Sequence, residues 1–326
     1  MLIALADLAP LLRSPRTGVP VRLVVDAAGV PECRTTSEDG SPETYPVIDG
    51  IPVLVDFERS VLDREQTLAS RASSRVTRRT SPAWMLARRF VQGRPVVARA
   101  KCADLIRRLL ADASAGPDSA AQPLVVIVGG GNVGAGAEPL YAESRVAVAG
   151  FDIYASPQVQ FIADAHDIPL ANGCADAVWI QTVLEHVIDP ARVVAEIARI
   201  LRPDGYVYAE TPLMQQVHEG AFDFTRFTQA GQRWLFRAFD TLDEGVVEGA
   251  GVALRWSVRY FVAGLTRSRT AGAIAGAALF WLRFFDRVAD PRHASDGACS
   301  LFYFGRKGTR ALRPSEVIGA YAGAQR

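Results

Sequence analysis

Apolar and polar positions follow several distinct styles along this chain. From Leu124 to Val128 every position is apolar and most are β-branched, the pattern of a strand covered on both faces, as parallel strands are. Arg145 to Phe151 repeats the style and ends at Asp152, and Asp176 to Gln181 and Val207 to Pro212 supply two more such runs. Helical spacing fills the gaps between them, first up to Arg202 and then over Gln229 to Phe239. The stretch Leu124 to Pro212 therefore predicts the first half of a doubly wound nucleotide-type α/β fold, and the rest of the chain is attached to it. Thr241 to Glu248 and Cys299 to Phe304 predict the last two strands.

The first 57 residues read differently, with short β-type runs at Val21–Val25 and Ile51–Val55 separated by prolines and glycines. Residues 58–122 are expected to be a basic helical linker. Between Arg71 and Arg108, eleven cationic side chains stand against Asp104 alone, with Trp84, Met85, Leu86 and Phe90 interleaved at helical spacing. A second helix is expected after Pro95 through Leu109, and Ala111 to Gln122 is expected to be a small-residue connection. Residues 250–295 read as a helical insertion between the last two strands, with apolar helices over Arg255 to Leu265 and Ala271 to Val288. They carry Trp256, Tyr260, Phe261, Phe280, Trp281, Phe284 and Phe285. Two readings compete: a helical cap whose aromatics are core, which the usual fate of aromatic stripes favours, or a lid that touches an apolar acceptor or a membrane surface. Residues 309–326 are expected to be a mobile tail.

Composition narrows the picture in two places. Formal net charge is +1, so any nucleic-acid or anionic partner must be met by the local arginine stretch, not by the chain as a whole. Cys33, Cys102, Cys174 and Cys299 are far apart, which suggests no disulfide framework and a reduced, cytoplasmic setting. The N-terminus lacks the basic start and long apolar run of a secretory signal, and the apolar run Ala271–Leu282 is too short to span a bilayer, so no export and no transmembrane segment are expected.

The chemistry is concentrated after the first strand. Gly129-Gly130-Gly131-Asn132-Val133-Gly134 brings bare backbone to a ligand, with a helix expected beyond it, and Asp152 is placed to accept hydrogen bonds from ribose hydroxyls. Gly129, Gly131 and Gly134 also satisfy G-x-G-x-x-G, which keeps a nicotinamide or flavin dinucleotide in view.

The next segment tips the balance. Val183-Leu184-Glu185-His186 at the end of the fourth strand, followed by Arg199-Ile200-Leu201-Arg202-Pro203-Asp204-Gly205, resembles the V-L-E-H and R-x-L-(K/R)-P-(G/D)-G motifs of class I S-adenosylmethionine-dependent methyltransferases, in the branch that includes the quinone-biosynthesis enzymes. The resemblance covers roughly residues 123–240. It implies a Rossmann-like seven-stranded sheet with helices on both faces, spanning 123–308, and S-adenosylmethionine as cofactor. By position it implies that Gly129, Gly130, Gly131, Asn132 and Gly134 face the methionine moiety and that Asp152 and Ile153 lie at the ribose. Asp164-Ala165-His166-Asp167-Ile168-Pro169-Leu170 resembles the G-D-A-x-x-L-P-F stretch, which implies that Asp164 and Ala165 meet the adenine edge, while Gln181 and Thr182 lie under the methyl donor. In one departure, Ile127 stands where the family usually has an acidic residue.

Asp223-Phe224-Thr225-Arg226-Phe227-Thr228 resembles the D-(F/Y)-x-R-F-T stretch of the same branch, so Asp223, Arg226 and Phe227 are the expected acceptor-binding residues. For a hydroxyl acceptor a base is useful, and His218, in the loop after the fifth strand, ranks ahead of His186. Tyr45-Pro46-Val47-Ile48-Asp49-Gly50-Ile51-Pro52-Val53-Leu54 resembles the closing stretch of a small zinc-ribbon-like family that includes the activator subunit of tRNA and protein methyltransferases. Ser14-Pro15-Arg16-Thr17 and Cys33-Arg34-Thr35-Thr36 stand where that family has its C-x-x-C pairs, so a metal-free module is expected. The functional expectation is methyl transfer to an oxygen or nitrogen of an apolar or lipid-linked small molecule. RNA methylation through the basic linker and a non-catalytic partner protein are the alternatives, and a peripheral place at a membrane goes with the lipid-linked acceptor.

Overall fold

The structure, a computed structural model, describes residues 1–35, 42–71, 95–115 and 122–325. The expected helix around Trp84 to Phe90, and the arginines from Arg75 to Arg94, lie outside the described residues. The chain forms two compact units. One comprises Met1–Thr77, Ala98–Gln181 and Asp189–Val207, and the other Arg78–Val97, Thr182–Ile188 and Tyr208–Arg326.

The main sheet has seven strands in the order β10-β11-β9-β8-β5-β6-β7. These are β5 Leu124–Val128, β6 Ala147–Asp152, β7 Phe161–Ile162, β8 Ala175–Gln181, β9 Leu201–Pro212, β10 Phe239–Glu248 and β11 Ser300–Lys307. In the first unit β5 pairs in parallel with β6 and with β8, and β6 with β7. All five residues of β5 are buried, which is why its sequence lacks alternation. Chain order reverses between β5 and β8, the switch point where sheets of this kind open a crevice at the carboxyl ends of their strands. In the second unit β10 and β11 form an antiparallel ladder. This is the Rossmann-like seven-stranded mixed sheet that the sequence implied.

Within the first unit, β1 Val21–Val25, β2 Pro31–Thr35, β3 Thr44–Ile48 and β4 Ile51–Pro52 make a separate antiparallel sheet. The run expected as one strand, Ile51–Val55, instead changes partners partway. Ile51 and Pro52 pair with β3, and Val53 then bridges Ile162 of β7 in parallel, with the Leu54 N–H donating to the Ile162 carbonyl at 2.8 Å. Val53 and Val55 pack with Val159 and Ile162. Residues 1–57 are thus stitched along the edge of the parallel strands. Ile3 N–H donates to the Val148 carbonyl, and Leu12 bridges Leu170.

Ser14, where the ribbon resemblance has a first cysteine pair, is buried, and its hydroxyl oxygen accepts from the N–H groups of Arg16 (3.1 Å) and Thr17 (3.0 Å). The same hydroxyl bonds Glu43 at 2.6 Å and Tyr45 at 2.9 Å, and Cys33 is buried as a free thiol. Hydrogen bonds now organise this turn.

Elsewhere the bounds shift for identifiable reasons. The helix Val96–Ala115 continues into the expected linker, burying Ala98, Cys102, Leu105 and Leu109 at helical spacing. Helix Gln229–Leu235 ends early because Phe239 already begins β10, and its N-terminus is capped by Thr228, whose hydroxyl accepts from the Gly231 N–H. The expected mobile tail instead contains the helix Pro314–Gly319, with Val317 buried, and the Tyr321 hydroxyl donates to the Asp296 carboxylate at 2.7 Å. Among the described residues no helix is long and apolar enough to cross a membrane.

Candidate functional site

In the first unit the backbone turns sharply after β5. Gly129 has φ of 72°, a left-handed conformation that side-chain-bearing residues avoid, and the Gly130 N–H donates to the Phe151 carbonyl at 2.8 Å. Gly131 N–H donates to Asp152 Oδ2 at 2.8 Å and the Ile153 N–H to Asp152 Oδ1 at 2.7 Å, so the carboxylate at the end of β6 is fixed in orientation by the turn beside it. Gly131 also lies under a ring: a Cβ there would stand 2.3 Å from the Tyr154 hydroxyl, to which Asn132 Nδ2 donates at 2.9 Å.

Across the switch point, Gln181 reaches from the end of β8 to the same loop. Its Nε2 donates to the Ala135 carbonyl at 3.1 Å, and its Oε1 would be 2.2 Å from a Cβ at Gly134. Gly129 to Gly134, Asp152, Ile153 and Gln181 are therefore brought together, as expected. The helix beyond the loop is short, Glu138–Ala142, so backbone amides of the turn, not a long helix dipole, face this crevice. Ile127 is buried within β5 opposite Gly150 and Trp179, leaving Asp152 as the acidic group of the turn.

Asp164 departs from its expected use. It is only 6% exposed and caps the turn Ala165–Asp167. Its carboxylate accepts from the Ser60 hydroxyl (2.5 Å), from His166 Nδ1 (2.6 Å) and from the His166 N–H (3.0 Å). Burial alone would raise its pKa, but the bonds from His166 and Ser60 hold it below the usual carboxylate range. His166 Nε2 accepts from the Asp189 N–H at 3.1 Å, which fixes the proton on Nδ1. Asp164 is thereby the organiser of a buried network.

The second unit gathers a different set. Thr182 sits at φ 54°, rare for a β-branched residue, and its N–H donates to the Glu210 carbonyl at 3.1 Å. This reversal sends the chain into the turn Leu184–His186, where Glu185 is fully buried. Among the described residues neither of its carboxylate oxygens has a hydrogen-bond partner, and burial pushes the carboxyl up to about 8.

Both imidazoles beside it are committed through Nδ1. His186 Nδ1–H donates to the Phe222 carbonyl at 2.8 Å and His218 Nδ1–H to the Gln216 carbonyl at 3.2 Å. Each Nε2 lone pair is left toward Glu185 Oε1, at 3.7 and 4.0 Å, with the rings edge to face at 4.9 Å. Burial holds His186 below the ordinary histidine range. The donor atoms of Glu185, His186 and His218 lie within 4.8 Å of one another, close enough to converge on a divalent cation. The sequence reading did not assemble this set, although the adjacent Glu185 and His186 were its visible half.

Asp223 and Arg226 are brought to the same loop but face each other. Two Arg226 N–H groups donate to the two oxygens of Asp223, one of them at 3.0 Å, and Arg226 Nε donates to the Gln215 carbonyl at 2.7 Å. Asp223 also accepts from the His218 N–H at 2.8 Å. Burial opposes ionisation, yet the Arg226 and His218 bonds hold its carboxyl well below the usual range; the side chain is shut off from water by its neighbours while lying close beneath the surface. The pair thus positions His218 and is spent on doing so. Phe227 is buried, its N–H donating to the Pro212 carbonyl at 2.9 Å, so it is core and not a free acceptor contact. Trp256, by contrast, lies 6.4 Å from the His218 ring, and a place beside the histidine was not foreseen for it.

A Rossmann-like sheet with a glycine turn and a ribose-type carboxylate defines the broad class. Residues 128–209 match a family described as a methyltransferase domain. The match spans the glycine turn, Asp152 and the turn Leu184–His186. Over 51 residues it is 41% identical to an uncharacterized 37.1 kDa protein in transposon TN4556 of Streptomyces fradiae, a match covering 16% of this chain and 15% of that one.

Three solved structures also resemble it. A candidate sarcosine dimethylglycine methyltransferase from Galdieria sulphuraria is 15% identical, with 65% of this chain and 86% of that one covered at a TM-score of 0.43. The complex between the Haloferax volcanii Trm112 methyltransferase activator and its candidate methyltransferase contributes a chain 19% identical, covering 71% and 97% at 0.40. Phosphoethanolamine N-methyltransferase 2 from Haemonchus contortus, solved with S-adenosyl-L-methionine, is 15% identical, covering 82% and 62% at 0.41. Likeness at this level says nothing about the acceptor.

Proposed function

We propose that this chain transfers the methyl group of S-adenosylmethionine to an oxygen, or less readily a nitrogen, of an apolar small molecule, with His218 as the base. The observation that carries the acceptor chemistry is the buried Glu185–His186–His218 set, in which both imidazoles are held with Nε2 as acceptor. S-adenosylmethionine, when bound, supplies a methyl group on a sulfonium that a nucleophile displaces. The chain's own residues then have separable tasks. The carboxylate of Asp152, aligned by the N–H groups of Gly131 and Ile153, and the bare backbone of the glycine turn would hold the cofactor's polar groups. His218 Nε2 takes the proton of an acceptor hydroxyl, the Gln216 carbonyl accepting from Nδ1–H keeps the ring from turning, and the Asp223–Arg226 pair anchors the His218 backbone N–H. Glu185, whose carboxyl burial pushes up to about 8, adds little negative charge beside the ring, and the fixed charges near it are the mutually paired Asp223 and Arg226. Much of the rate comes from holding donor and acceptor in line, so no covalent intermediate is needed.

The test is calorimetric titration with S-adenosylmethionine and S-adenosylhomocysteine, beside the Asp152→Ala variant and with NAD as competitor. Binding that the variant loses and NAD does not disturb supports the reading. If neither ligand binds, the chain is a non-catalytic partner.

A further inference from the structure

The helical insertion of the second unit is built inside out. Its helices Ala250–Thr266 and Arg269–Ala278 approach so closely that a Cβ at Gly272 would lie 2.4 Å from the Arg259 carbonyl. The turn Phe280–Arg287 closes on them through Gly251, whose N–H donates to Asp286 Oδ1 at 2.7 Å. The residues buried by this packing are small: Val252, Ala253, Gly272 and Gly276, together with Arg255, which lies next to Glu248. No residue of Phe280–Arg287 is buried.

The bulky apolar side chains point the other way. Phe261 is 70% exposed, Leu265 74%, Ile274 66%, Phe285 61% and Val288 79%. Leu254, Phe261 and Leu265 recur at spacings of seven and four and so share one helix face. The expectation that the insertion's aromatics are core holds in part for Trp256, which packs against Val252, Ala253 and Cys299, and is overturned for Tyr260, Phe261, Trp281, Phe284 and Phe285: the aromatics of a water-soluble cap would not be left outside at this cost.

Charge says what the face fits. From residue 250 to 289 there are six arginines, Arg255, Arg259, Arg267, Arg269, Arg283 and Arg287, against Asp286, whose Oδ1 is turned inward to Gly251. Arg283 lies over the Phe284 ring at 4.9 Å and Arg259 over Trp256 at 5.0 Å, so guanidinium groups are interleaved with the apolar surface. Exposed Phe and Leu flanked by arginine is the composition that sinks into the boundary between acyl chains and anionic headgroups.

We propose that residues 250–289 dock this protein, without spanning, on the surface of an anionic lipid bilayer. This does not depend on the methyltransferase reading, since docking requires neither cofactor nor acceptor. It is tested by flotation of the full chain with vesicles of phosphatidylcholine and phosphatidylglycerol in equal parts, and with phosphatidylcholine alone. The wild type is expected to float with the anionic vesicles. Phe261→Ser with Phe285→Ser, and separately Arg267→Gln with Arg269→Gln and Arg287→Gln, are each expected to weaken binding about tenfold or more. All five side chains are exposed, and unchanged circular-dichroism melting confirms that the variants fold. Absence of wild-type flotation, equal flotation of the variants, or retention of bulk tRNA in place of vesicles would each overturn the proposal. Titration with S-adenosylhomocysteine in parallel separates failure of docking from failure of the enzymatic reading.

Discussion

Replacing Glu185 by glutamine isolates a buried and strongly perturbed acid of the second unit. The wild-type carboxyl is fully buried, has no hydrogen-bond partner among the described residues, and is pushed by burial from an ordinary 4.5 up to about 8. A folded-state pKa raised above the unfolded value means that the native state binds the proton more tightly. The corresponding stability is fully present below pH 4.5 and is lost as pH rises toward 8. Each pH unit in that window costs about 1.4 kcal/mol, so the native state gives up about 3 kcal/mol by pH 7 and about 5 kcal/mol at high pH. The Glu185→Gln side chain has the same shape, leaves its amide equally unpartnered and does not titrate. The variant's advantage over the wild type should therefore grow from near zero at acid pH to a plateau above pH 8.

Urea unfolding of both proteins in steps from pH 5 to pH 9, with a chelator present, reads the difference directly. Other titrating groups are common to both proteins and cancel. A difference that is flat with pH, or that favours the wild type at high pH, would show that Glu185 is ionised in the folded protein and would refute the reasoning.

Other perturbations probe the remaining contacts. Arg226→Ala leaves Asp223 buried without its partner and should cost about 2–4 kcal/mol in urea unfolding; Arg226→Lys, which cannot fork onto both oxygens, should recover part of it. Gly131→Ala drives a methyl group into the Tyr154 hydroxyl and should weaken S-adenosylhomocysteine binding about tenfold or more in calorimetry, whereas Gly131→Ala with Tyr154→Ala should restore part of it. Ser60→Ala removes one of three donors to a buried carboxylate and should lower stability by about 1–2 kcal/mol, with the loss fading as pH falls below the depressed pKa of Asp164. His218→Asn should slow methylation of an alkyl catechol probe by about a hundredfold or more while leaving S-adenosylhomocysteine affinity unchanged.

What the sequence made legible was local. Leu124–Val128 could be read as a doubly covered strand because five consecutive buried positions leave no other short solution, and Asp152 could be placed because the strand before it has a definite end. What escaped was set by distant partners. Nothing near Asp164 announces that Ser60, 104 positions earlier, will donate to it. The pairing of Arg226 with Asp223, three positions earlier, was by contrast open to the sequence, and the fold shows it as a two-oxygen grip. The insertion left two readings open for a more general reason. Helical periodicity reports that one face is apolar, not which face is turned inward, and an interior filled by Gly272 and Gly276 leaves the conspicuous aromatics outside.

The N-terminal residues make the same point in the opposite sense, since their sequence predicted a separate module. A four-stranded sheet this small buries little apolar surface of its own, and with Ser14-Pro15-Arg16-Thr17 at its first turn there is no thiolate pair to tie it. Two substitutes are built in. The Ser14 hydroxyl, bonded to Glu43 and Tyr45, collects the amides of Arg16 and Thr17, and the strand that begins at Ile51 leaves its own sheet at Val53 to pair with β7. Because β7 is a two-residue edge strand, that pairing also covers backbone that would otherwise be open to another chain. Stability of the ribbon and closure of the sheet edge are therefore one event. An excised fragment of residues 1–57 should fail to fold, although its resemblance to a free-standing ribbon suggests the reverse.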